Sequence, residues 1–266
     1  MTAIQPVGTG DSRERPIKLG GALFTLVEPH KGHEVAYNRW YERDHFYAGC
    51  MVGAWTLAGA RFVATADCKA KRVPADSPIT GGDNANGSYL ALYWILKGTF
   101  GEWMQWGTEQ VKWLHDNGRM FPHREHVHTL MYKFAGEHER DDGVPVELAL
   151  DRRFPGLVLT IGELAPGADA GAVGDLEWST ASSTEVLAVA TPVPLLADAP
   201  SDVPRDEATD RFLLLSFLGR DPLEVWDAEF AGIGDRVADA GLGRVLFSSP
   251  FLPTVPGTDT YADQLR

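Results

Sequence analysis

The stretch 37-YNRWYERDHFYAG-49 gathers five aromatic rings, two arginines, two acids and one histidine into little more than three helical turns. An imidazole is the side chain best suited to proton transfer near neutral pH, and a phenol one turn away can share or relay that proton. On an α-helix, positions 37, 41 and 45 fall in one line, so Tyr37, Tyr41 and His45 share a face, with Trp40, Asp44 and Tyr47 distributed around it. Such a segment is either a core helix with an unusual surface or the wall of a reactive pocket.

A second cluster is 119-RMFPHREHVHTLMYKF-134. Strict alternation along a strand over 126–134 would point His126, His128, Leu130 and Tyr132 to one face and Val127, Thr129 and Met131 to the other. Two histidines on one face could ligate a metal, with His123 adding a third nitrogen, or line a polar pocket, or sit at an exposed strand end. Arg61 could bind a substrate carboxylate or enolate, or pair with an acid. Tyr93 could give a phenol to the pocket or pack in the core. A Glu28–His33 pair at a pocket rim competes with a solvated turn. Cys50 and Cys68 have neither disulfide nor metal spacing and read as small buried hydrophobes.

The distribution of these side chains is uneven. All eight histidines lie at or before His138, and so do all the lysines and most of the tryptophans and tyrosines. The formal charge is −13, with the deficit in the second half. The first half therefore holds the reactive groups, and the second completes the fold. A net acidic chain does not bind nucleic acid or anionic lipid without sequence preference, since both need a basic face. No apolar run is long enough to span a membrane, and the expected location is cytoplasmic.

Four segments share one pattern of strand, helix and strand, with strands near 22–28 and 60–66, 88–97 and 126–134, 155–164 and 185–193, and 211–219 and 243–251. Helices are expected near 33–49, 100–118, within 167–178, and over 221–241, where Asp221-Pro222 reads as an N-cap with its first-turn proline. Two interleaved βαβ units make a ferredoxin-like β-α-β-β-α-β domain, and four make two in tandem. Each sheet has an open apolar face, and packing the two together closes an intramolecular α/β barrel in an α+β fold. The division is a flexible tail over 1–18, a first domain over 19–138 with the candidate active site, a linker over 139–154, a second domain over 155–252, and a mobile tail over 253–266. Residues 67–87, rich in Gly, Pro, Asn and Asp, are an insertion suited to a lid or to surface decoration. Neither a dinucleotide-binding glycine motif nor a P-loop is present.

At this level the sequence resembles the dimeric α/β-barrel superfamily with both halves fused. Trp40-Tyr41 followed by His45 resembles the aromatic-aromatic-x-x-x-His signature on the first helix of its EthD-like branch. The resemblance implies His45 as general acid and base, Tyr41 as its hydrogen-bonding neighbour, and Trp40 as a packing wall. It also implies a choice among cofactor-independent cyclases, dehydratases, isomerases and oxygenases. The reading that follows is dehydration, cyclisation or isomerisation by proton transfer, without a cofactor, on a small apolar, aromatic or polyketide-like substrate. Tyr37, Trp40, Arg61, Tyr93, His126 and His128 would line its site. The alternatives are a haem- or divalent-metal-dependent oxygenase using His123, His126 and His128, and a non-catalytic ligand-binding protein. The expected partner is the small molecule, with self-association into a homo-oligomer left open.

Overall fold

A computed structural model describes residues 17–141, 144–197 and 207–266. The expected 1–18 tail lies almost wholly outside the described residues. Eight strands, β1 (Leu19–Pro29), β2 (Thr56–Val63), β3 (Tyr89–Leu96), β4 (Arg124–Glu139), β5 (Gly156–Leu164), β6 (Thr184–Val193), β7 (Arg211–Leu218) and β8 (Gly243–Pro253), form one closed barrel in the order β1-β3-β2-β8-β5-β7-β6-β4. All pairings are antiparallel. Each half is a four-stranded ferredoxin-like sheet, β4-β1-β3-β2 and β8-β5-β7-β6. Two seams join them. One is long, running from Met131↔Val193 to Glu139↔Val186, and the other is only the pairs Phe62↔Pro253 and Val63↔Leu252.

The pattern of side chains explains the closure. On β3 both faces are apolar: Leu90, Leu92 and Trp94 enter the barrel, while Tyr89, Tyr93 and Ile95 meet the helices outside. The barrel interior is filled by residues such as Phe24, Leu130, Leu159, Leu215, Phe217 and Phe247, which form a packed core. Outside the first sheet lie α1 (Glu34–Trp40), two successive π-helical turns (Tyr41–His45 and Tyr47–Met51) and α3 (Phe100–Asp116); α2 (Ala66–Ala70) is one short turn. Outside the second lie α4 (Ala170–Thr180), α5 (Pro222–Glu229) and α6 (Ile233–Asp239). Asp221 caps α5 as expected, accepting from Leu223 N at 2.8 Å. The helix expected over 221–241 is broken at Phe230–Gly232, where Ala231 N reaches back to Trp226 O and α6 starts afresh.

The two connecting segments stop the ends of the barrel. In the 67–87 insertion the buried Arg72 bonds the carbonyls of Asn84 (2.7 Å), Asn86 (2.5 Å) and Gly87 (2.6 Å) and Ser249 Oγ (3.0 Å), and Ile79 joins the core. At the other end, Val146, Ala149 and Phe154 of the 139–154 linker are buried against it, and Trp94 Nε1 donates to Val146 O at 2.9 Å. The 253–266 segment, expected to be mobile, is docked: Leu265 is buried, its carbonyl accepts from Lys69 Nζ at 3.0 Å, and Asp259 pairs with Arg39. Both corrections have one cause. Buried cations that each bind several carbonyls tie down loops whose composition alone reads as loose.

Candidate active site

Between the outer face of the first sheet and its helices lies a cavity of about 110 Å³. His45, Tyr41 and Cys50 wall one side, Met104 and Val111 of α3 another, and Leu23, Thr25, Tyr93, His126, Thr129 and Met131 the sheet face. Its lining is mainly apolar, with the polar groups gathered on a few residues.

The chain reaches this geometry through wide turns. After Trp40 the backbone closes i→i+5 bonds, giving two π-helical turns. In an α-helix residues five apart point in different directions, whereas here they lie over one another. His45 consequently stacks on Trp40, with centroids 4.5 Å apart and planes 17° from parallel. Trp40 is fixed by its Nε1 bond to Arg119 O at 2.9 Å. From below, Gly49 lies so close that a Cβ there would meet His45 Cε1 at 3.0 Å. The imidazole is thus held between an indole and bare backbone, and its Nδ1 is buried without a hydrogen-bond partner. Burial, aided by the positive charge of Arg124 and the neighbouring His126, pushes its pKa down to about 3, so the ring is neutral at ordinary pH.

Tyr41 does not hydrogen-bond His45. It meets the imidazole edge-on at 5.2 Å, while its hydroxyl pairs with Tyr93 Oη at 2.9 Å. Burial raises the pKa of both phenols well above the ordinary tyrosine range, and separately pushes the Cys50 thiol up to about 12. Tyr37 is fully buried among Tyr41, Tyr89 and Phe121, and it supports the wall without lining the cavity. Arg61 lies behind that wall, bonded to Asn38 Oδ1 at 2.9 Å and over the Tyr41 ring at 4.4 Å; it borders a separate cleft of about 240 Å³ with Glu42, Arg152 and Arg153.

The two strand histidines part company. Pairing of Leu26 with His128 and of Val27 with His126 leaves Val127 as an extra residue, a β-bulge. His126 therefore joins Thr129 and Met131 on the cavity side, and His128 turns into the barrel, where Nε2 meets Tyr132 Oη at 3.2 Å. The expectation that both share a face fails at this bulge. His123 lies elsewhere again, stacked on His33 at 3.9 Å, and Glu28 binds Ser88, Lys69 and Arg266 and does not pair with His33. Arg124, Thr25 and Thr129 were missed from sequence. An arginine at the start of β4 carries no motif, and only the bulge brings it to the cavity.

The architecture has counterparts among solved structures. An anthrone oxidase-like protein matches at 11% identity and TM-score 0.51, over 91% of this chain and 95% of its own. A chlorite dismutase-type protein matches at 9% identity and TM-score 0.50, over 94% and 100%. A dye-decolorizing peroxidase from Bacteroides thetaiotaomicron matches at 9% identity and TM-score 0.45, over 94% and 96%. This is the dimeric α/β-barrel fold. No family model matches the chain, and no curated protein matches it. The barrel that such proteins build is here closed by two ferredoxin-like halves of one chain, while an EthD-like membership is not shown by these matches.

The cofactor-free expectation is corrected at this point. The first two counterparts are named for oxidase and chlorite-dismutase chemistry, so the shared fold gives no ground for expecting that the chain works without a cofactor. The described cavity fits such groups poorly as it stands. Among the described residues no three His, Cys, Asp or Glu side chains converge to hold a metal, and His123, His126 and His128 are dispersed. For a haem, His45 supplies one neutral nitrogen, but a void of about 110 Å³ is nearer the roughly 150 Å³ that admits a benzene ring than the slot a macrocycle needs.

Proposed function

We propose that the chain is an enzyme of oxidase or oxygenase type acting on a small, planar, largely apolar molecule in the cavity beside His45. The observation that carries this reading is a neutral imidazole, stacked on Trp40, facing a mainly apolar void. In this role His45 accepts the proton from an acidic C–H or O–H of the substrate, leaving an electron-rich anion as the species that is oxidised, with dioxygen as the electron acceptor. Tyr41 and Tyr93, tied to each other, form the rigid wall against which the ring lies. The EthD-like pattern of Trp40, Tyr41 and His45 belongs to the same proposal, as does the fold shared with an anthrone oxidase-like protein.

The test is oxygen uptake and product analysis with a panel of single-ring phenols and ring ketones, using protein whose visible spectrum has been recorded before and after adding haem. Wild type should turn over at least one panel member, and His45→Phe should lose turnover while melting normally. Full activity in His45→Phe would end the assignment.

A further inference from the structure

We infer that the cleft of about 240 Å³ beside the short β2–β8 seam is a second ligand site, which takes a small aromatic carboxylate beside Arg61, Arg152 and Arg153. It shares no lining residue with the cavity beside His45, and it stands whether or not that cavity is catalytic.

The chain has a formal charge of −13, yet three of its arginines line this one cleft. Arg152 and Arg153 follow each other in the 139–154 linker, both exposed, and neither has a carboxylate partner among the described residues. Arg152 is placed by its guanidinium lying 5.1 Å from the centre of the Phe154 ring, which is buried in the barrel core. Arg61 is the buried member, 7% exposed, and its Nη2 has no hydrogen-bond partner. Its Nη1 donates to Asn38 Oδ1 at 2.9 Å and reaches Glu42 Oε1 only at 3.5 Å, longer than a good charge-assisted bond. Glu42 also accepts from Gly257 N at 2.9 Å, so its charge is divided between two donors. The other acid in the lining is Asp151, and three guanidinium groups against two carboxylates leave the cleft net positive.

Between these charges the lining is aromatic and apolar. Phe46 and Tyr47 come from the turns after His45, Phe154 from the linker and Pro256 from the C-terminal segment, and the Tyr47 ring is exposed. Two adjacent guanidinium groups suit the paired oxygens of a carboxylate, and flat rings suit a flat body. A void of about 240 Å³ exceeds the roughly 150 Å³ that admits benzene, so a ring fits together with its acidic group. The lining is drawn from the first half, the linker and the C-terminal segment, next to the seam where β2 and β8 share only two residue pairs. A ligand that touches all three segments holds that seam closed, because it binds the closed form and not the open one.

The probe is benzoate, with benzamide as its uncharged counterpart and inorganic phosphate as a charge without a ring. Calorimetric titration of wild type should show saturable binding of benzoate, at least about tenfold tighter than either control. The double variant Arg152→Gln, Arg153→Gln should melt as wild type does and bind benzoate at least about tenfold more weakly. Saturating benzoate should slow amide exchange at Phe62, Val63 and Leu252 more than at Met131, which lines the other cavity. If the double variant does not fold, the exposed Arg153→Gln alone takes its place. No saturable binding of benzoate, equal binding of benzamide or phosphate, undiminished affinity in the arginine variant, or protection centred on Met131 would each overturn the inference. None of these readouts involves turnover, so the oxidative reading and the carboxylate site fail separately.

Discussion

His45 lies flat on Trp40 five residues before it, an arrangement that the π-helical turn permits and an α-helix does not. The pair makes the imidazole part of the wall, where water is scarce and its protonation is costly.

The first prediction concerns acid stability. His45 has a folded pKa of about 3 against 6.5 when exposed, so between those values the unfolded chain binds a proton that the folded chain does not. Stability should fall as pH drops through that window, by up to about 1.4 kcal/mol per unit from this group, and should be untouched above it. Urea unfolding of wild type and His45→Phe from pH 3 to 7 checks this; equal slopes would remove the burial argument.

Gly49 predicts a steric effect. A methyl group there would have to displace the imidazole, since its nearest atom is 3.0 Å away. Gly49→Ala should cost about 1–3 kcal/mol by overpacking and shift the ligand affinity of the cavity more than its fold. Chemical denaturation paired with binding of the phenol panel separates the two effects.

Glu177 titrates in the opposite sense. On α4 it is buried with Oε1 unpartnered, and burial raises its pKa to about 7 despite Arg236 at 3.4 Å. The folded state therefore holds a proton between 4.5 and 7 that the unfolded state has lost, and stability declines as pH rises through that range. Glu177→Gln should flatten the decline, visible as a melting temperature nearly constant from pH 5 to 8 where wild type falls.

Arg72 tests the barrel stopper. Its guanidinium binds three loop carbonyls and Ser249 with almost no solvent contact. Arg72→Ala should destabilise by about 3 kcal/mol or more, because several buried acceptors lose their donor together. Differential unfolding measures it, and increased proteolysis within 67–87 should accompany it.

Much of the architecture could be read directly. The doubly apolar β3, the Asp221-Pro222 cap and the repeated strand-helix-strand pattern each encode a local rule, and together they specify two ferredoxin-like halves. His45 was legible because an imidazole amid aromatics is chemically unusual. What stayed hidden depends on one-residue irregularities. The wide turns after Trp40 change which residues stack, and the bulge at Val127 sends His126 and His128 to opposite faces, neither of which leaves a mark in hydrophobic periodicity. Arg124 and the ordered insertion were equally silent, since bonds from an arginine to backbone carbonyls, such as Phe121 O for Arg124 and Asn84 O for Arg72, carry no side-chain motif.

The unequal joins between the halves give the ring a clasp. The β4–β6 join spans eight residue pairs and acts as a spine, whereas β2 and β8 touch through two, next to the docked C-terminal segment. Transient opening should begin there, so amide hydrogens of Phe62, Val63 and Leu252 should exchange ahead of those along Met131–Glu139. New termini placed at the clasp would disturb the molecule least, and the two sheets would then swing apart like covers on a binding.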